Sequence, residues 1–506
     1  MDKISGFVNP PIPHATPVAL KWIFRLIWVF PLFFLLLFPL GFANHGVYMD
    51  EAWIGQQAHS LAARGVIVND LFRDYPPLDG SILIYHKLLI WLGALVTYVM
   101  GWGLYQLRLV SLLSGLALLT VLYFFLKSIE TRRVAALTCF ILLWSPIFWG
   151  QMTIFRPEML MTLLGFVSFM ILWEANMRQS MPLVALAGAF AGWSGLAHPL
   201  GLFFMVSGAV ALISEKEFRL ALVLIISALL AFSPYLTGLL VDWRLFVSQL
   251  VDNGAMAYKV SFKWWEPIVN ILNEHKKIFR GPDIFGLSIL LILSLFLTSK
   301  KQFREYRFFW LYVGTFFILG AIAPLTKSSR YLLPLAPFFA IAVSRTVNNL
   351  SLSKVNGSKF ASAIFLGWAG LFLLYGAVAL AITAFGDRTA PHEIETNRLL
   401  ASKMKTTMVV MAPFDFVFNQ VDNFTIQSWV GCEKAANDKL TPAFVERYAV
   451  KHGVEYIIMA NPYLEKMHIT SDQLASSFRQ YTPLFVLPKR DRYLLMRIHR
   501  APEIGR

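Results

Sequence analysis

Charge is what this chain has least of. Of its 506 residues only 15% are Asp, Glu, Lys or Arg, against about 25% in an ordinary soluble protein. With 57% hydrophobic residues and a mean hydropathy of +0.58, a soluble globule of this size could not hide its apolar surface. Cysteine is nearly absent as well. Cys139 lies in an apolar run and Cys432 near the C-terminus, which leaves no basis for a disulfide framework or a cysteine metal site. Neither a P-loop nor a G-x-G-x-x-G cradle occurs, so nucleotide-phosphate machinery is not expected. No repeat or low-complexity tract appears. The first apolar run, about 22–42, is too long for a cleavable signal and ends without an A-x-A-like site, so it reads as a retained span.

What is abundant is apolar and aromatic. The 43 Phe and 15 Trp suit lipid contact and interfacial belts. A crossing helix needs about 20 apolar residues. On that scale spans are expected near 22–42, 105–126, 134–150, 159–173, 182–197, 201–213, 219–240, 284–298, 308–324, 331–346 and 361–384. Pro199 divides the fifth from the sixth, and His198 beside it reads as structural. Residues 82–100 are apolar enough to cross but carry His86 and Lys87. Read as a juxtamembrane helix, they leave Lys3/Lys21/Arg25, Lys127/Arg132/Arg133, Arg178, Lys216/Arg219, Lys300/Lys301/Arg304/Arg307 and Arg345/Lys354/Lys359 on one side. The formal charge of +15 is then an anionic-lipid signature rather than a nucleic-acid one, and that side is cytoplasmic. The expectation is about eleven transmembrane helices in the inner or plasma membrane, N-terminus in and C-terminus out.

Residues 1–386 form the membrane part, with a first outer loop 43–104. From about Asp387 the pattern changes to short strand-like runs and an amphipathic helix over Pro442–His452. A small soluble α/β domain is expected over 387–506, outside the membrane by parity. Two outer loops depart from the charge rule. Lys259, Lys263, Lys276, Lys277 and Arg280 lie in one, and Lys327 and Arg330 in another. An anionic lipid phosphate is a candidate partner for them; ordinary solvated loop charge is the plainer alternative.

Acids near spans are expensive and usually functional. They gather at three places on the outer side: Asp50-Glu51 after the first span, Asp74 and Asp79 around Pro76-Pro77, and Glu158 after Arg156-Pro157. Each has a simpler reading. Asp50-Glu51 can cap the helix that follows, the loop aspartates can bond locally in the turn, and Glu158 can be a first-turn acid. Their convergence on one face favours a shared site.

The order span, D-E, PP loop, interfacial helix and Arg-led span (Tyr105-Gln106-Leu107-Arg108) resembles the GT-C membrane glycosyltransferases. Within these it is similar to the aminoarabinose-transferase and protein O-mannosyltransferase-like group. Arg330-Tyr331-Leu332-Leu333-Pro334 resembles that group's R-Y-L-L-P segment. The resemblance is best over about 48–160. It implies an inverting enzyme that passes a hexosyl or pentosyl group from a polyprenyl-phosphate carrier to a lipid, glycan or protein acceptor at the outer face. It carries the base onto Asp50, the loop acid onto Asp74 and the acid after the third span onto Glu158, with Glu51 beside the base. Two positions depart from the pattern: Tyr75 stands where a phosphate-binding Lys is usual, and Glu158 where an Asp is usual. Donor-phosphate contact is therefore expected from Arg330, Tyr331, Tyr75 and Lys263, and a divalent metal from Asp74 with His275. The main alternative is a transporter or flippase of lipid-linked sugars, which would carry midplane polar residues and two-half symmetry. A membrane scaffold is the other, and it would not need three acidic sites.

Overall fold

The computed structural model describes residues 29–73, 75–84, 86–258, 265–323, 328–352, 359–386, 390–418, 420–437, 439–487 and 491–498. Long apolar runs without interior proline give the longest helices, Leu104–Ile129, Pro157–Arg178 and Lys359–Phe385. Among the described residues four helices are long and apolar enough to cross a bilayer, or seven when each sharply bent pair counts as one. Four shorter apolar helices accompany them: Lys87–Met100, Met181–Ala197, Pro199–Ser214 and Arg307–Ile322.

Proline sets most of the breaks. The run expected as one span over 134–150 is two helices, Arg132–Trp144 and Pro146–Met152, bent by 71°. Pro146 supplies no N–H to the preceding turn but fits the first position of a new helix. The span expected over 331–346 begins instead as a 3-10 segment, Ser329–Leu335, with Pro334 inside it, before the helix Ala336–Leu352. That tight segment carries Arg330 and Tyr331. Close helix packing relies on Gly188 and Gly192, four residues apart on one face. A Cβ at Gly188 would come within 2.6 Å of the Leu224 carbonyl oxygen on the helix Phe218–Phe232.

The first loop is built from a helix, a turn and a second helix. Met49–Arg64 starts at Tyr48, whose N–H donates to Glu51 Oε2 at 2.9 Å, and ends at Gly65 with φ 71. The left-handed backbone there is why glycine stops this helix. The Pro76-Pro77 turn is enclosed by two short strands, β1 (Val68–Asn69) and β2 (Gly80–Ser81), and is clamped by Gln249. The Gln249 amide donates to Pro77 O (3.0 Å) and Ser81 O (2.7 Å) and accepts from Leu83 N (2.8 Å). The helix Lys87–Met100 buries Leu89, Ile90 and Ala94 and leaves Leu95, Tyr98 and Val99 exposed. Its Lys87 Nζ donates to Pro234 O, Tyr235 O and Thr237 Oγ1, at 3.2, 3.0 and 2.9 Å.

Beyond 390 the chain forms a mixed sheet of β3 (Val409–Ala412), β4 (Thr425–Ser428), β5 (Tyr456–Ala460), β6 (Tyr481–Leu487) and β7 (Arg492–Arg497). Its order is β4-β3-β5-β7-β6, with β3 parallel to both neighbours and β7 antiparallel to both of its own. Every residue of β5 is buried, as a central strand covered on both faces should be. The helix Pro442–Lys451, capped by Thr441, lies between β4 and β5 in the chain. This part packs on the first loop. Ser428 N donates to Leu71 O (3.1 Å), Phe418 stacks on Trp102 (5.3 Å), Phe414 meets Phe72 edge-on (5.9 Å), and Val47 N donates to Glu393 Oε2 (2.9 Å).

Candidate active site

Asp50 and Glu51 are consecutive in one helix, so their side chains leave it about 100° apart. Packing separates them completely. Glu51 turns inward, with no exposed surface, and meets the equally buried Arg108. Arg108 Nε and Nη2 donate to the two Glu51 oxygens, each at 2.8 Å. Phe155 N (2.8 Å) and Tyr48 N (2.9 Å) donate to the same carboxylate. The remaining Arg108 donors bind His45 O (2.9 Å), Gly46 O (3.0 Å) and Phe42 O (3.3 Å). Such a bidentate, fully bonded pair is a buried pin between the first span, the first loop and the span Leu104–Ile129. Arg108 compensates the Glu51 charge, whereas the immediate surroundings of Asp50 are cationic.

Asp50 faces outward, with 22% of its side chain exposed. Arg156 Nη1 is in direct contact with its Oδ2, and Arg330 Nη1 stands 4.0 Å from the same oxygen. Arg156 also binds Glu158 through Nε (3.1 Å) and Nη2 (2.6 Å), so it bridges two acids. Glu158 is fully buried beneath it. Tyr48 completes the group: its hydroxyl accepts from Arg330 Nη1 at 2.9 Å, and its ring lies 5.2 Å from the Arg156 guanidinium and 5.8 Å from that of Arg330. Arg330 Nε is buried and has no acceptor among the described residues. Tyr331 follows it, 5.9 Å from the guanidinium. The Tyr48 hydroxyl and the Glu158 carboxylate hold Arg330 charged against the cost of its burial.

Three histidines surround this group. His45 binds Thr153 Oγ1 at 2.8 Å; burial, then Arg108, disfavours its protonation. His86 and His198 stack at 5.0 Å. Burial lowers the His86 pKa to about 4, and burial with the His86 ring beside it lowers that of His198 to about 3. Both rings are neutral at physiological pH.

The sequence-expected residues divide three ways. Asp50, Glu158 and Arg330 come together through Arg156 and Tyr48, neither of which was assigned a role from sequence; the signal available for Arg156 was its place in Phe155-Arg156-Pro157-Glu158. Tyr75 stands against Phe72 (5.9 Å) and Lys434 (6.0 Å), the latter from the helix Trp429–Ala435. Asp74 and Lys263 lie outside the described residues. Of the basic outer loop, Lys277 is buried, bonded to Glu274 and Gly320 O, both at 2.9 Å, and so is not a free phosphate ligand. His275 is exposed, with Nδ1 on Leu272 O at 2.7 Å. No group of three or more metal-ligating side chains occurs among the described residues. His275 therefore has no ligand set around it there, and the metal assignment gains no support.

No family profile matches the sequence, and no curated protein matches it. Solved structures do. The chain is similar to ArnT from Cupriavidus metallidurans bound to undecaprenyl phosphate, with a TM-score of 0.63 and 14% identity over 94% of this chain and 98% of that one. The apo form of that protein gives a TM-score of 0.59 and 13% identity, over 95% and 98%. An Archaeoglobus fulgidus oligosaccharyltransferase in complex with Zn and sulfate gives a TM-score of 0.53 and 11% identity, over 87% of this chain and 68% of that one. At such identities the likeness speaks for architecture, and it extends over nearly the whole chain. This protein has the fold of the GT-C membrane glycosyltransferases.

Proposed function

We propose that the protein is an inverting glycosyltransferase that moves a sugar from a polyprenyl-phosphate carrier to an acceptor hydroxyl at the outer face of the membrane. The observation that carries the reading is Asp50: a partly exposed carboxylate at the end of the helical bundle, between two guanidinium groups. An ArnT with this fold binds undecaprenyl phosphate, which supports a lipid-phosphate donor here. In this reading about eleven spans place the first loop and the 387–506 domain outside, with the N-terminus in the cytoplasm.

The chemistry follows from the residues. The donor phosphate engages Arg330, whose Nε–H has no acceptor among the described residues, and draws its positive charge away from Asp50. The acceptor oxygen attacks C1 of the sugar from the face opposite the phosphate. As the C1–O(acceptor) bond forms and the C1–O(phosphate) bond breaks, Asp50 takes the acceptor proton and the polyprenyl phosphate leaves with the electron pair. Arg330 and Tyr331 stabilise that leaving charge, with donors already in place before it develops. Arg156 holds Asp50 in register with Glu158, and Glu51 positions the loop through Arg108.

The test is single-turnover transfer by protein reconstituted in lipid nanodiscs, supplied with polyprenyl-phosphate sugars and extracted envelope lipids, glycans or proteins. Mass spectrometry should find one polyprenyl phosphate released per sugar transferred, and proton NMR of the product should show inverted anomeric configuration. Movement of intact lipid-linked sugar across the bilayer with no bond cleavage would establish the transport reading instead.

A further inference from the structure

His198 sits at the turn between two apolar helices, where it closes the 3-10 turn Pro199–Gly201. The Leu200 N–H donates to His198 Nδ1 at 3.2 Å. A ring nitrogen that accepts carries no proton, so the proton of the neutral imidazole must be on Nε2. The ring is also held in place. His86 stacks on it at 5.0 Å with planes 20° apart, and His86 is itself fixed by Nδ1 on Ala197 O at 3.1 Å. Tyr331 lies 6.2 Å from the His198 ring. The result is an oriented N–H donor of fixed tautomer at the edge of the Asp50 site.

The charges around His198 define what that donor can serve. Burial, then His86, and to a smaller extent Arg156 and Arg330 disfavour a positive ring, while Glu158 is the acid acting in the other direction. Both oxygens of Glu158 are already bound by Arg156, and no bond from His198 Nε2 to any described residue is present. A donor in the field of two guanidinium groups, with the Tyr331 ring 6.2 Å from its own, matches a ligand rich in acceptors and negative charge. A neutral donor also adds no repulsion to the arginines. Arg156 is committed to two carboxylates, so the charge left for a lipid phosphate is chiefly that of Arg330, and further donors must be dipolar. Resting on the donor reading above, we propose that His198 is a direct ligand of the donor phosphate, its Nε2–H bonding an oxygen of the polyprenyl phosphate alongside Arg330 and Tyr331.

The experiment measures binding of undecaprenyl phosphate and of undecaprenol to the full-length protein in nanodiscs. His198→Phe keeps an aromatic ring for the His86 stack and removes the donor; His198→Gln restores an N–H. Loss of one hydrogen bond to a charged group corresponds to about a tenfold to hundredfold weakening. The expected result is that loss for the phosphate with His198→Phe, no change for the alcohol, and recovery of most of the loss with His198→Gln. Unchanged phosphate affinity in His198→Phe, or equal loss for phosphate and alcohol, overturns the proposal. Should His198→Phe fail to fold, nitrogen NMR of histidine-labelled wild-type protein decides: the His198 Nε2–H signal must shift with the phosphate and not with the alcohol, and an unmoved signal overturns it. Wild-type protein that does not prefer the phosphate to the alcohol would instead sink the donor reading itself.

Discussion

Substituting Glu51 tests whether the D-E pair has been divided correctly between chemistry and architecture. Glu51→Ala removes the countercharge of Arg108, a guanidinium with no exposed surface. It also orphans the N–H groups of Tyr48 and Phe155 and the two Arg108 donors aimed at the carboxylate. Breaking a buried pair from one side costs about 3–5 kcal/mol, because the remaining charge stays in a low-dielectric site. Three backbone carbonyls still hold Arg108, which places Glu51→Ala within that range rather than above it. Glu51→Gln keeps an acceptor oxygen and should lie near its lower end. Replacing both partners, as Glu51→Leu with Arg108→Leu, should recover part of the loss, since no unpaired charge then remains. The assay is unfolding in mixed detergent micelles followed by tryptophan fluorescence, with transfer activity measured on the same samples. If Glu51→Gln abolished transfer while costing under about 1 kcal/mol, Glu51 would be chemical rather than positioning, and the division would be refuted.

Other outcomes follow from the same contacts. Arg330→Lys retains charge but loses the fork and the Nε–H, and should lower transfer about tenfold or more with folding intact; donor titration in a transfer assay checks it. Gly188→Leu pushes a side chain into the Leu224 carbonyl and should reduce the yield of folded protein, read by size-exclusion chromatography. His86 and His198 have folded-state pKa values of about 4 and about 3, below the ordinary 6.5. The unfolded chain therefore binds more protons between those values, so stability should fall as pH drops below about 6.5, and His86→Phe should flatten that slope. A pH-independent unfolding midpoint from 7 to 4 would contradict it.

The membrane character and the place of Asp50 at the start of a helix just after an apolar one were legible because both depend on local runs: apolar length, and an acid just past a span. Proline-directed breaks were legible at Pro199 and missed at Pro146, where the surrounding apolar run masked a 71° bend. The divergence of Asp50 and Glu51 by about 100° follows from helix geometry, but the choice of which one is buried depends on Arg108, more than fifty residues away. Arg156 illustrates the same limit. Its role as a bridge between Asp50 and Glu158 exists only once the two helix starts are packed together. The approach of Lys434 to the Tyr75 ring joins segments more than 300 residues apart, which no local pattern encodes.

The central claim is that Asp50 accepts the acceptor proton while Arg330 holds the donor phosphate. Asp50→Asn in nanodisc-reconstituted protein tests it most directly, by measuring single-turnover sugar transfer and undecaprenyl-phosphate binding on the same preparation. The account predicts transfer reduced by about a hundredfold to ten-thousandfold, with lipid-phosphate binding retained or tightened as Arg330 loses a competing carboxylate. Transfer at the wild-type rate would contradict it.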